Sequence, residues 1–346
     1  MNSRPRPSSP PRSETPLPRD AARRLRRSRS SHRLSQNAGL LLVCLLLAAC
    51  VLGYCAIFYV SQQRFPGGFE LTSTVNNTMP LAMAAVGQTI VVVTRGLDLS
   101  VGGIIDLTNA VAAVTMGEST ASMVEWTVII LAIGAGLGLI NGLLVGVGRL
   151  QPILVTLATL SIFQGLAIWV LPQPGGAVPP AYSNVLANGD YPVSLLYVVL
   201  AALLWHAFRR SALGVAIFAI GNDEQAAAAN GIRLVRTKIL AYVLGGMFAA
   251  AGGLFLAATA TAGDATTGNG YTLTSIVAVV LGGVSLFGGR GSATGSLLGA
   301  FVITMIVNLL FFAHIDPLYQ AFYEGLFLIL AVIASTGVGR YFRRRG

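Results

Sequence analysis

One short segment of this chain combines a carboxylate, a hydroxyl and several glycines between two apolar stretches. It covers residues 94–103 and reads TRGLDLSVGG. Asp98 or Ser100 can cap a helix that starts just after them, because their side chains accept hydrogen bonds from the free amides of a first helical turn. Gly96 and Gly102 permit a tight turn. The segment therefore predicts a capped hairpin between two helices near the membrane surface, and a gating role for the same residues stays open.

A second segment, within residues 218–232, has the signals of a short surface helix. Asn222 is a suitable N-cap, and Asp223 and Glu224 suit the positive end of a helix dipole. Four alanines follow and favour helix, and Gly231 is a stop signal. We predict a helix from about 223 to 230 whose bare alanine surface receives a docking partner. A plain connecting turn is the alternative.

These two segments lie in a chain with the composition of a helical membrane protein. Hydrophobic residues make up 54% of its 346 residues and charged residues only 10%, whereas about a quarter of a typical soluble domain is charged. Apolar runs long enough to cross a bilayer recur along the chain. We predict an all-α polytopic membrane protein with about ten transmembrane helices. The predicted spans are 39–60, 76–94, 99–117, 124–148, 151–171, 193–208, 236–260, 272–288, 293–313 and 318–337.

Basic residues are distributed unevenly between these spans. Of the 23 arginines and lysines, all but Arg64 lie before the first span, at even-numbered junctions or after the last span. The positive-inside rule then places both termini in the cytoplasm. We interpret the basic residues as topology signals beside membrane lipid, not as a nucleic-acid site. The predicted regions are a disordered, Arg/Ser/Pro-rich cytoplasmic tail (1–37), a transmembrane domain (38–338) with an inward loop (209–235), and a basic cytoplasmic C-terminus (339–346).

Familiar catalytic patterns are missing from the sequence. It contains no G-x-x-x-x-G-K-[ST] phosphate loop, and its three histidines are isolated from one another and from cysteines, so neither an ATPase site nor a metal site is predicted. The chain is therefore not expected to be an enzyme, and transport is its natural function. An ion-coupled carrier would need ionisable groups inside the membrane, for which Asp98, Asp106, Glu324 and His206 are the candidates.

Polar and small residues inside the spans suggest two further features. Hydroxyl and amide side chains could line a path for a neutral solute, although bonding between helices is their commoner use. Glycines recur every fourth residue in the fourth span, at residues 134–146, and at residues 291–299, which predicts close helix packing. The candidates for the solute path are Gln88, Asn109, Asn141, Thr156, Thr159 and Asn308.

Taken together, four segments resemble the permease subunits of ribose- and galactose-type bacterial ABC sugar importers. They are GLDLSVG at 96–102, QPILVTLATL at 151–160, the loop at 221–232 followed by LGGMFAAAGG, and VLGGVSLFGGRG at 280–291. The resemblance covers residues 39–337. Two departures stand out: Arg95 replaces a glycine frequent in the family, and residues 272–275 lack a usual acidic residue.

The resemblance implies a multi-pass inner-membrane subunit that imports a monosaccharide. A separate ABC ATPase would bind ATP and Mg²⁺, so no cofactor is expected in this chain. A periplasmic or lipid-anchored sugar-binding protein would deliver the solute, and a second permease subunit, identical or paralogous, would complete the pore. A nucleoside importer and a carrier acting alone are the alternatives. The residues implied in coupling to the ATPase are Gly221, Asn222, Asp223, Glu224, Ala226, Ala227, Gly231 and Ile232.

Overall fold

The computed structural model of the protein describes residues 19–316 and scattered positions from 319 to 333, with side chains from residue 40. Most of the predicted tenth span, Glu324 and the C-terminal residues 334–346 lie outside this part. The described residues form helices, and their only bridge between extended segments joins Gly175 and Gly263. The helices are α1 (Arg19–Gln62), α2 (Gly68–Val93), α3 (Val101–Thr115), α4 (Thr120–Gly146), α5 (Pro152–Val170), α6 (Pro180–Leu186), α7 (Ser194–Arg210), α8 (Ala212–Asn222), α9 (Glu224–Ala229), α10 (Leu234–Ala260), α11 (Asn269–Leu281) and α12 (Ala293–Phe312).

Several of these helices are long and apolar enough to cross a membrane. Five qualify among the described residues: α1 from Leu40, α4, α5, α10 and α12. The helices α7 and α8 qualify together but meet at an angle of 74°. At 15 and 13 residues, α3 and α11 are shorter than the roughly 20 residues that a straight crossing needs. The predicted fold, a polytopic helical membrane protein, is confirmed.

Two predicted regions differ in the structure. Helix α1 begins at Arg19, so residues 19–37 of the predicted disordered tail are helical, because extending an existing helix avoids the cost of nucleation. Residues 1–18 lie outside the described part. The inward loop at 209–235 contains the unpredicted helix α8, whose first turn is capped by the Ser211 hydroxyl, which accepts a hydrogen bond from the amide of Gly214 at 3.1 Å.

Helix α2 forms the centre of the bundle. Every residue of α2 from Thr78 onward is buried, and the helix packs against α7, α10, α11 and α12. A helix that is buried on all faces belongs to the core of a protein rather than to its lipid surface. The other long helices expose large apolar side chains, as lipid-facing helices do.

Close backbone contact joins α4 to α10 through the predicted glycine stripe. A Cβ atom added to Gly138 would lie 2.2 Å from the carbonyl oxygen of Tyr242, and one added to Gly134 would lie 2.5 Å from that of Gly246. The glycines of the fourth span therefore serve packing within this chain, as predicted. In α12, Gly295 and Gly299 contact α11 in the same way, whereas Gly291 lies in the preceding turn with a φ of +142°.

The first prediction concerns this helix contact. Gly138→Ala places a methyl group on the Tyr242 carbonyl, so α4 and α10 must separate, and we expect a loss of about 1–3 kcal/mol in stability. Gly136→Ala is the matched control, because a Cβ atom at that position meets no atom within 4 Å. Thermal unfolding of the purified protein in detergent measures both. A melting temperature for Gly138→Ala equal to that of the control would contradict the interpretation.

Candidate functional site

The Asp98 carboxylate is completely buried within the protein, which the sequence did not predict, and its position near the membrane surface stays a prediction. Its Oδ1 atom accepts hydrogen bonds from the amide of Ser100 at 2.9 Å and from the Ser100 hydroxyl at 2.6 Å. Ser100 stands at the N-cap position of α3, but its side chain makes no capping bond. Asp98 therefore orders the turn that leads into α3, beneath a cover of neighbouring helices that the linear sequence does not reveal.

Hydrogen bonds extend from this turn across two further helices. The side-chain amide of Asn141 in α4 donates to the Ser100 hydroxyl at 2.7 Å, and its oxygen accepts from the Thr159 hydroxyl of α5 at 2.8 Å. The Thr156 hydroxyl lies 3.3 Å from the carbonyl oxygen of Leu97. Three of the predicted solute-path residues, Asn141, Thr156 and Thr159, thus join helices to one another.

Two of the predicted hairpin glycines have different roles. A Cβ atom on Gly96 would lie 2.8 Å from the Tyr242 hydroxyl and 2.9 Å from a Val91 methyl, so this glycine belongs to the turn, as expected. A Cβ atom on Gly102 would instead lie 2.7 Å from the carbonyl oxygen of Gly268. Gly102 therefore permits α3 to contact the start of α11, and its role in the hairpin stays a prediction.

Asn109 and Asp106 hold the loop between α10 and α11. The Asn109 side-chain oxygen accepts from the amide of Asp264 at 2.7 Å, and Asp106 Oδ1 accepts from the amide of Gly268 at 2.5 Å. Hydrogen bonds from Thr266 lower the pKa of the Asp264 carboxyl group in this loop. Gln88 is fully buried in α2, and neither atom of its amide has a partner among the described residues.

The predicted surface helix is present as α9, and its cap is one residue later than expected. Asp223 Oδ1 accepts from the amides of Gln225 and Ala226 at 2.9 and 3.0 Å. Asn222 is not the cap, because its side chain donates to the carbonyl of Phe218 at 2.8 Å and ends α8. Gly231 follows the helix with a φ of +81°, as its predicted role as a stop signal requires.

The alanines of α9 face two directions. Ala227 is buried against its own chain, with 4% of its surface exposed, whereas Ala226, Ala228 and Ala229 are exposed. The methyl group of Ala227 is thus already covered by its own chain, and the implied role of this residue in coupling stays a prediction. On the same helix, Glu224 forms an ion pair of 2.7 Å with Lys238 at the start of α10. Ile232, which follows α9, is half-buried.

Three chain segments meet at the base of α9, and we call this contact the glycine junction (Val93, Gly221, Asn222 and Gly289). The amide of Gly289 donates to the carbonyl of Val93 at 2.9 Å, and the Asn222 side chain donates to the carbonyl of Gly289 at 3.3 Å. A Cβ atom on Gly221 would lie 1.8 Å from the Val93 carbonyl oxygen. The end of α2, the end of α8 and the turn before α12 thus touch through their backbones.

A cavity of about 520 Å³ lies between α2, α10, α11 and α12, and we call it the polar pocket. Asparagine, threonine and tyrosine side chains contribute to its wall, and none of its described lining residues is charged. Such a lining offers hydrogen-bond donors and acceptors to a neutral solute. The lining residues are Asn77, Pro80, Leu81, Leu256, Thr259, Thr267, Gly270, Tyr271, Thr274, Ile303, Thr304, Val307 and Asn308.

The polar pocket and the glycine junction lie towards opposite ends of α2. Asn77 lines the pocket and Val93 belongs to the junction, so the two are separated by about 24 Å of helix at 1.5 Å per residue. Of the predicted solute-path residues only Asn308 lines the pocket, where its amide also donates to the Thr74 hydroxyl at 3.0 Å. The other lining residues were not predicted from the sequence. Asn77, a polar residue three positions before Pro80 in an apolar span, could have indicated a polar site in this part of α2.

A second prediction follows from the buried turn at Asp98. Asp98→Ala leaves the Ser100 amide and hydroxyl without their acceptor, and we expect a loss of about 1–3 kcal/mol in stability. Asp98→Asn keeps an oxygen that accepts both bonds and should unfold close to the wild-type temperature. Asp190→Ala, at an exposed loop carboxylate, is the control. If Asp98→Ala unfolds at the wild-type temperature, the carboxylate does not order this turn.

Comparison with known proteins agrees with this architecture. A family model described as "Branched-chain amino acid transport system / permease component" matches residues 71–333. The ribose import permease protein RbsC of Escherichia coli K12 is 32% identical over 281 residues, which cover 77% of this chain and 85% of that protein. RbsC of Bacillus subtilis 168 is 36% identical over 259 residues, which cover 72% and 80%.

A third relative has a different named solute. The autoinducer 2 import system permease protein LsrC of Yersinia pseudotuberculosis is 30% identical over 312 residues, which cover 88% of this chain and 85% of that protein. No solved structure matches the chain. The extent of these matches and the apolar helices agree with a multi-pass protein of the inner membrane. The chain therefore belongs to the permease-component family of the branched-chain amino acid transport type.

Proposed function

We propose that this chain is the transmembrane permease subunit of an ATP-driven importer for a neutral monosaccharide or a similar small polar solute. The observation that carries the proposal is an uncharged polar pocket at one end of α2 and an exposed alanine helix beyond the other end. Three similar proteins are named as ribose or autoinducer 2 import permeases. Sequence similarity and pocket chemistry thus favour the same class of solute.

The uncharged lining favours a neutral solute over an amino acid. A zwitterionic amino acid carries two charges, and desolvating them without partners of opposite charge is costly. None of the described residues that line the polar pocket supplies such a charge. Hydroxyl and amide groups match the alternating donors and acceptors of a polyol. A nucleoside is also neutral, so a panel of sugars and nucleosides is needed to separate these two classes.

The energy for transport would come from ATP hydrolysis on another chain. The sequence lacks a phosphate-binding loop, so a separate ATPase would bind ATP and Mg²⁺. Helix α9 suits docking to that ATPase because three of its alanines are exposed and the ion pair between Glu224 and Lys238 fastens it to α10. Its connection to the glycine junction would carry movements of the ATPase to α2.

The proposed topology has ten crossings and both termini in the cytoplasm. The uneven distribution of basic residues supports a cytoplasmic position for α9 and the glycine junction. The polar pocket, at the opposite end of α2, would then face outward and receive solute from an extracytoplasmic binding protein. A second permease subunit, identical or paralogous, would complete the pathway.

The third prediction tests docking at α9. Ala226→Glu adds an exposed charge that would be desolvated against the ATPase, and we expect binding to weaken by roughly 2–5 kcal/mol while the isolated permease stays folded. Ala227→Glu forces a charge into the chain's own packing and should lower the melting temperature of the permease itself. Co-purification of the ATPase and thermal unfolding separate these two effects.

Ala181→Glu serves as the matched control for docking, because Ala181 is an exposed alanine in the short helix α6. Helix α6 begins beside the end of α10, where the amide of Val178 donates to the carbonyl of Thr261. This control therefore alters the pocket end of the bundle and should leave co-purification of the ATPase unchanged. Wild-type amounts of ATPase on Ala226→Glu would rule out docking through this surface.

The fourth prediction tests the polar pocket. Thr274→Val removes a lining hydroxyl with little change in volume, and losing one hydrogen bond of about 1 kcal/mol should weaken solute affinity about fivefold. Thr115→Val is a matched control, because both hydroxyls donate to the carbonyl one turn earlier at 2.7 Å and Thr115 does not line the pocket. Solute-concentration dependence of uptake by the assembled complex measures the effect, and equal affinity in both variants would exclude Thr274 from the pathway.

Reconstitution distinguishes an importer from a carrier. Proteoliposomes that hold only this chain and an ion gradient should show no uptake, whereas addition of the ATPase, the binding protein and ATP should restore it. Ion-driven uptake by the chain alone would refute the proposed function. Asp106 would then be the first residue to examine, since its Oδ2 atom is buried and has no hydrogen-bond partner among the described residues.

A further inference from the structure

Arg95 occupies a backbone conformation that an arginine rarely adopts. It follows the C-cap residue of α2 with a φ of +67°, in the left-handed region that favours glycine. Such a conformation is unfavourable for a residue with a side chain, and it persists only where surrounding contacts compensate. Contacts of the Arg95 side chain are therefore expected to stabilise this backbone conformation.

The guanidinium group of Arg95 binds the end of α8. Its Nε atom donates to the carbonyl of Gly221 at 2.9 Å, and its Nη2 atom donates to the carbonyl of Asn222 at 2.7 Å. Carbonyl groups in the last turn of a helix lack intrahelical partners and carry the negative end of the helix dipole. A guanidinium group satisfies them with two charge-assisted hydrogen bonds of fixed relative orientation.

The surrounding turn leaves room for this side chain. A Cβ atom on Gly288 would lie 2.5 Å from Arg95 Cγ, so the absence of a side chain at residue 288 permits the arginine to pass. Helix α9 begins at Glu224, two residues beyond the last carbonyl that Arg95 binds. The arginine thus joins the end of α2 to the last residues of α8, which directly precede α9.

We propose that Arg95 is a positioning residue that makes α9 and α2 move together, so that nucleotide-driven movement of the ATPase reaches the polar pocket. This inference rests on the proposed function. Backbone contacts at the glycine junction bring the segments together, and the two bonds from Arg95 fix their relative orientation. Without them, only the contacts of the glycine junction would join the end of α8 to α2.

The test measures a response at the pocket that needs no knowledge of the solute. In a variant whose native cysteines are replaced by serine, Asn77→Cys places a thiol in the pocket lining. Its rate of labelling by a membrane-impermeant maleimide is compared with and without ATP and vanadate, in the complex of this chain with its ATPase. We expect nucleotide to change the rate at least fivefold with Arg95 present and less than twofold in R95G, while ATP hydrolysis continues in R95G.

R149G is the matched control. Arg149 is also an arginine with a left-handed backbone, at a φ of +53° just after α4, and no hydrogen bond from its side chain is found in the described part of the chain. R149G should therefore keep the full nucleotide response. If R95G keeps it too, or R149G loses it equally, Arg95 does not couple α9 to α2.

R95K separates the charge from the two-point bond. Lysine keeps a positive charge at residue 95 but presents one nitrogen in place of the guanidinium fork, so its nucleotide response should fall between those of wild type and R95G. This variant decides the question if R95G fails to assemble with the ATPase, because a full response in R95K would overturn the proposal. A wild-type complex whose labelling never responds to nucleotide would instead refute the proposed function.

Discussion

Backbone contact between α4 and α10 is the interaction on which the rest of the structure depends. Lipid is as apolar as the side chains of the helices, so burial of apolar surface gives little net association there, and close backbone approach takes its place. Glycines at 134 and 138 permit that approach from α4. On another side of α10, a Cβ atom on Gly252 would lie 2.9 Å from the carbonyl oxygen of Pro80 in α2. Helix α10 begins close to α9 and ends at the polar pocket. Its fixed position therefore sets the distance between α9 and the pocket.

Buried polar groups add the specificity that small residues alone cannot provide. Within the bundle a polar side chain finds no water, so it must bond to the protein or bear a desolvation cost. The chain of bonds from Asp98 through Ser100 and Asn141 to Thr159 gives these four side chains partners and fixes α3, α4 and α5 in one register. A shift of any of these helices by one residue would break the chain, whereas an interface of small residues alone tolerates sliding.

The sequence predicted features that repeat along one helix and missed those that depend on contacts between helices. The four-residue period of the α4 glycines identified an interface because a helix places such residues on one face. The complete burial of Asp98 was missed because hydropathy locates the end of a span but not the helices that cover it. Asn222 resembled an N-cap, yet its side chain bonds the carbonyls of Phe218 and Gly289 instead, and the second of these lies 67 residues away. The polar pocket escaped prediction because four separate helices contribute its lining.

Helix α2 connects the polar pocket to the glycine junction. It is buried over most of this length, and a proline interrupts its hydrogen bonds near the pocket. Pro80 lies in its interior and lines the polar pocket, and proline removes the amide that would bond the carbonyl one turn earlier. Towards the other end every residue is enclosed, and the helix terminates in backbone contacts at Val93. A helix held tightly at one end and weakened at the other bends where it is weak. Displacement applied at the glycine junction would therefore change the shape of α2 at the pocket, where a neutral solute would be held, more than in the packed segment between them.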